Sequence, residues 1–162
     1  LMLRRLFLIF SLLLPAVLLP ANLALAETTA AEPEPMVLTA TAQGRDMAAA
    51  LTSLNQAITN HNYTFVREQA MDSRLVPYAQ EVRSVRIVYF CNFAKMNHAL
   101  KLDPRAAQML PCRVTLVETP TGVDLIAVNP AWVSQNMGNP ELHAECEKLK
   151  QDYLAILEEA SM

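Results

Sequence analysis

Hydrophobic positions fall into one long opening run and a series of short periodic segments. Arg4 and Arg5 precede an uncharged, mostly apolar stretch from Leu6 to Ala26, which ends in Ala24-Leu25-Ala26 directly before the first acidic residue, Glu27. A basic start, an apolar middle and a small-x-small end are the three parts of a secretory signal. The stretch also approaches the ~20 apolar residues that cross a bilayer as a helix. Pro15 and Pro20 break that helical pattern, and no Cys follows to carry a lipid anchor. The expected reading is a signal peptide over residues 1–26, directing the chain to the periplasm. A membrane anchor retained over residues 6–26 is the rival. Residues 27–35 (Glu-Thr-Thr-Ala-Ala-Glu-Pro-Glu-Pro) are too small, acidic and proline-rich to bury apolar surface, which predicts a disordered tether.

One domain is expected over residues 36–162. Met36 to Gln43 suits a strand. Asp46 is placed to cap a helix whose apolar positions Met47, Ala50, Leu51, Leu54 and Ile58 follow helical spacing. Tyr63 to Ala70 is a second strand, and Met71 to Val82 a loop with Pro77 inside it. From Ser84 to Cys91 the residues Val85, Ile87, Tyr89 and Cys91 alternate, which predicts a strand with that set facing the core. Phe93 to Leu102 reads as a helix, and Asp103-Pro104 opens a second, short one. Cys112 to Glu118 and Val123 to Asn129 read as strands joined in a hairpin at Thr119-Pro120-Thr121-Gly122. Asn139-Pro140 opens the last helix, whose stripe is Leu142, Cys146, Leu149, Tyr153 and Leu157. The order β-α-β-β-α-β-β-α predicts an α+β fold, a two-layer sandwich with helices over one face of a mainly antiparallel sheet.

Charge narrows the function classes. The chain has 13 basic and 16 acidic residues, a net charge of −3. Arg4 and Arg5 fall inside the expected signal and every acidic residue follows it, so the remainder is more acidic still. Nucleic acid and anionic lipid both call for a concentrated basic surface, which is absent. The membrane is reached only through residues 6–26, if they are retained. No Gly-rich phosphate loop and no Gly-x-Ser-x-Gly elbow is present, and no two His stand at i, i+4. These gaps lean against a self-contained enzyme.

Val85-Arg-Ile-Val-Tyr-Phe-Cys-Asn-Phe93, then the helix, then Met109-Leu-Pro-Cys-Arg-Val-Thr-Leu-Val117, then Val123 to Pro130, resemble the family catalogued as domain of unknown function 302. Members usually have Phe-Gly-Asn-Pro at the end of the first of these strands. Here Phe90-Cys91-Asn92-Phe93 replaces Gly by Cys and Pro by Phe. Leu110-Pro111 fits the family pattern but Cys112 follows it. The resemblance spans roughly Met36 to Leu157. It implies a compact domain, often a homodimer, and is silent on activity.

Both departures introduce cysteine. Cys91 ends one strand and Cys112 begins another. Antiparallel neighbours would bring them to one rim of the sheet, whereas parallel neighbours would hold them about 20 Å apart, beyond disulfide reach. Three readings are open if they meet. One is a structural disulfide or plain burial, one a soft-metal or haem site, and one a redox-active pair. In the second, copper or haem is held by Cys91 and Cys112 with Met96 or Met109 assisting. The redox reading lacks a Cys-x-x-Cys. Cys146, on the stripe of the last helix, reads as a buried hydrophobe. His61, His98 and His143 read as solvent-facing, and the acidic residues of the last helix as its solvated face, with Lys148 and Lys150 interleaved. The loop with Asp72-Ser73-Arg74 and Pro77-Tyr78, and Trp132, are candidates to cover a ligand cleft or a dimer contact.

The leading expectation is a periplasmic binding or accessory domain, homo-oligomeric, holding a small ligand, haem or a soft metal near Cys91, Met96 and Cys112. The alternatives are a thiol–disulfide redox protein using Cys91 and Cys112, and a non-catalytic subunit of a membrane complex.

Overall fold

The computed structural model describes residues 33–71 and 84–162. The expected signal segment, most of the expected tether, and the loop with Asp72-Ser73-Arg74 and Pro77-Tyr78 lie outside these residues.

Short polar caps set the helix starts. Asp46 Oδ1 accepts the Ala49 N–H at 2.8 Å and opens α1, Met47–Asn60. Asn92 Oδ1 accepts the Lys95 N–H at 3.1 Å and opens α2, Phe93–Leu102. Asn129 and Asn139, each followed by Pro, do the same for α3, Pro130–Ser134, and α4, Pro140–Ser161. An Asx oxygen at this position satisfies a backbone donor that the helix cannot, and Pro at the next position has no donor to satisfy. The strands are β1 (Val37–Gln43), β2 (Thr64–Ala70), β3 (Val85–Cys91), β4 (Cys112–Thr119) and β5 (Gly122–Val128). A 3-10 turn at Pro104–Met109 is the short helix expected after Asp103.

The five strands form one sheet in the order β1-β5-β4-β3-β2, antiparallel at every step. The two long helices, α1 and α4, pack on each other and on one sheet face. The result is the expected two-layer α+β sandwich. Leu54 and Ile58 of α1, Ile156 and Leu157 of α4, and Val114, Leu116 and Leu125 of the sheet meet in one core. At Gly122 the β4–β5 turn passes so close to β1 that a Cβ would sit 2.2 Å from the Ala42 carbonyl oxygen. Among the described residues, no helix is long and apolar enough to cross a membrane.

Two expectations are corrected. The core-facing residues of β3 are Val88 and Phe90, whereas Val85, Ile87 and Tyr89 are half-buried on the other face. β3 is apolar in both phases, so alternation alone could not choose between its faces. Cross-strand register decides. Phe90 lies opposite Cys112 and Val88 opposite Val114, and opposed residues share a face. Cys91 is buried even so, because the chain leaves the sheet there and turns into α2.

The second correction concerns the domain start. Glu34 and Pro35 are bound rather than part of a free tether. The buried Asn129 amide donates to Glu34 Oε2 and to the Pro35 carbonyl, both at 2.8 Å, and Lys150 Nζ reaches Glu34 Oε1 at 2.5 Å.

The two faces of β3 predict unequal costs. Phe90→Ala should destabilise the domain by about 3–5 kcal/mol in chemical denaturation, and Ile87→Ala by less than half of that. Equal costs would contradict the assignment of faces.

Candidate functional site

The antiparallel β3–β4 pair brings a strand end and a strand start to one rim of the sheet, so Cys91 and Cys112 border the same cleft. The turn Cys91-Asn92 leads straight into α2, whose first full turn carries Met96. The Cys91 thiol donates to the Met96 thioether at 3.5 Å. From the opposite side α4 presents Cys146 and Leu149. The cleft offers about 80 Å³ of free space, room for an ion or a very small ligand and well below the ~300–1,000 Å³ of pockets that take drug-sized molecules. Tyr63, Lys95, Ala99 and Leu110 complete much of its wall.

Of the four residues expected at the site, Cys91, Met96 and Cys112 come together. Met109 does not. It lines a separate cavity with Arg113 and Tyr153. Cys146, read from the sequence as a plain core residue, is buried and also borders the cleft. All three cysteines are free thiols. Among the described residues no three His, Cys, Asp or Glu side chains are gathered closely enough to hold a metal, so Cys91 and Met96 are the close donor pair. Neither a His nor Trp132 is among the residues bordering the cleft.

Burial governs the state of the sulfurs. Desolvation pushes the Cys112 thiol up to about 12, only partly opposed by a hydrogen bond with Tyr153. Desolvation also raises Cys91 and Cys146. A buried thiol gives up its proton reluctantly because the thiolate loses water without gaining a partner. All three are therefore uncharged near neutral pH. The Tyr153 hydroxyl is held in turn by the Arg113 N–H at 3.0 Å. Tyr63, Phe90 and Tyr153 stack edge to face, with ring centroids 5.4 and 5.6 Å apart.

The mouth of the cleft is polar. The Tyr63 hydroxyl donates to Asp152 Oδ2 at 2.6 Å, and the Lys95 ammonium pairs with the same oxygen. Lys95 also stands 5.4 Å from the Tyr63 ring centroid. One turn further along α2, His98 lies 4.0 Å from Glu145, which Lys148 also binds at 2.7 Å. These contacts tie α2 to α4, and they matter because α2 buries none of its residues fully. Burial, followed by the hydrogen bond to Asp152, raises the Tyr63 pKa.

Sequence reasoning missed Tyr63, Lys95, Asp152 and Cys146. The one available signal was the place of Asp152 beside Tyr153 on the edge of the α4 stripe. His61 and His143 are engaged rather than merely solvated. His61 Nε2 is 2.9 Å from Glu159 Oε2, and His143 Nδ1 is 2.9 Å from the buried Ser134 Oγ. The Ser134 hydroxyl also donates to the Ala131 carbonyl at 3.2 Å, so that it serves packing of α3 on α4.

Taken together, these features define a two-layer α+β domain with a thiol-bordered cleft between its helices. The family model described as domain of unknown function DUF302 matches residues 38–160, and the chain belongs to that family. The crystal structure of an uncharacterized conserved protein DUF302 from Bacillus stearothermophilus is similar. It has 13% sequence identity and a TM-score of 0.71, with 78% of this chain and 99% of that chain covered. A comparison with curated proteins returned no match.

The Cys112 shift predicts a pH dependence. The folded domain holds this proton more tightly than the unfolded chain, whose thiol titrates near the ordinary value of 9.0. The stability it contributes is intact below that value and is lost as pH rises toward about 12. Denaturation midpoints measured from pH 8 to about 11 should therefore fall more steeply for the parent than for Cys112→Ala. Parallel slopes would contradict the burial of this thiol.

Proposed function

We propose that this chain is an exported, non-catalytic binding domain that takes a small, largely apolar or soft ligand into the cleft between α2 and α4. The observation that carries the reading is the convergence of Cys91, Met96, Cys112 and Cys146 on one cleft, with every thiol uncharged near neutral pH. Such a wall offers polarizable, weakly hydrated contact in place of hydrogen-bonding groups. The polar groups at the mouth already satisfy one another, so they ask no charge of the ligand. Thiol–disulfide exchange has less support, since it needs an accessible thiolate of lowered pKa. Export rests on the basic, apolar and Ala-x-Ala pattern of residues 1–26. Homo-oligomer formation is supported by the half-buried apolar side chains of β3, Val85, Ile87 and Tyr89, on the face away from the long helices.

The test uses xenon, a neutral apolar probe small enough for this cleft, followed by xenon NMR with the exported protein. We expect saturable binding at one site per chain. Ala99→Trp, which fills the cleft from α2, should weaken it at least about tenfold while leaving the circular dichroism unchanged. Binding that ignores Ala99→Trp would overturn the reading. In the same preparation, the mass of the periplasmic protein should lack the first 26 residues; an intact mass would favour the anchored alternative.

A further inference from the structure

The cleft contains a donor set more specific than its apolar character. Cys91 Sγ and Met96 Sδ are 3.5 Å apart, on a strand end and the helix turn that follows it. A thiolate–metal bond is ~2.3 Å, so two sulfurs this far apart can both reach one ion at an angle of ~100°. Trigonal placement of three sulfurs would set each pair about 4.0 Å apart, so this pair needs to open by only about half an ångström. Cys112 supplies the third sulfur from the neighbouring strand. Its thiol borders the same cleft, and in the β3–β4 register Cys112 pairs with Phe90, the residue directly before Cys91. We propose that Cys91, Met96 and Cys112 form a three-sulfur site for one soft monovalent cation, Cu(I).

The choice of ion follows from the donors. Thiolate and thioether ligands select Cu(I), whereas Zn(II) closes its shell with four ligands, commonly including imidazole. Among the described residues, no His borders the cleft, and its one carboxylate, Glu145, is held by Lys148. Binding changes no oxidation state. Cu(I) enters as Cu(I), three Cu–S bonds form, two S–H bonds break and both protons leave to water. One positive charge replaces two protons, so the loaded site carries one net negative charge. The buried, apolar surroundings then shield the ion from water.

This inference rests on the cleft reading, and the experiment separates the two. The exported protein is titrated anaerobically with Cu(I), supplied as its acetonitrile complex, against the chromophoric chelator bicinchoninate. Xenon binding is measured on the same samples. We expect one Cu(I) per chain, three sulfur neighbours in X-ray absorption, and no displacement by Zn(II). The double variant Cys91→Ser, Cys112→Ser should weaken Cu(I) binding by about 100-fold or more, and Met96→Leu by about tenfold. Met109→Leu should stay within about twofold. Absence of Cu(I) binding, a two-sulfur or nitrogen-rich shell in the parent protein, or indifference to Met96→Leu would each overturn the site. These readings hold even if the double variant fails to fold. Cu(I) failure with xenon still bound at one site removes the metal alone, and failure of both removes the cleft reading with it.

Discussion

The antiparallel pairing of β3 with β4 is the constraint on which the rest of the structure depends. Its register sets Phe90 opposite Cys112 and Val88 opposite Val114. That single alignment fixes which residues of β3 enter the core, and it brings the end of one strand beside the start of the next. A slip by one residue would send Phe90 to the open face and take the aromatic stack with Tyr63 and Tyr153 apart. The same slip would change the offset between Cys112 and Cys91. Packing and site geometry therefore rest on the same backbone hydrogen bonds.

A second relation concerns how firmly the cleft walls are held. β3, β4 and α4 contribute fully buried residues to the core, whereas α2 packs partly buried Ala99, Leu100 and Leu102 against Ala106, Leu142 and Cys146 and adds its cap and polar contacts with α4. Exposed ion pairs contribute on the order of 0–1 kcal/mol each. The helix carrying Met96 and Ala99 is thus the least buried wall of the cleft.

Much of the architecture was legible in the sequence because local chemistry and tertiary packing agree. Asp46, Asn92, Asn129 and Asn139 mark helix starts in the chain and cap them in the fold. The stripes of α1 and α4 are the faces they bury, with Leu54, Ile58, Leu142, Cys146 and Tyr153 all in the interior. The proximity of Cys91 and Cys112 followed from one topological premise, antiparallel neighbours, which the sheet fulfils. Legibility ended where a segment offers two equivalent choices. β3 is apolar in both phases, and Glu34 looks like tether until Asn129 and Lys150 bind it. Met109, close to Cys112 along the chain, is carried by the 3-10 turn toward a different cavity.

The sequence by itself determined the elements, their caps, the sandwich class and the presence of sulfur at two strand termini. These follow from neighbours along the chain, where periodicity and capping act over a few residues. Only the tertiary structure decided that Cys146 joins Cys91 and Cys112, that Asp152 and Lys95 close the mouth with Tyr63, and that all three thiols are held protonated. Those outcomes depend on contacts between residues far apart in sequence and on the loss of water that packing imposes, and neither is written in any local pattern.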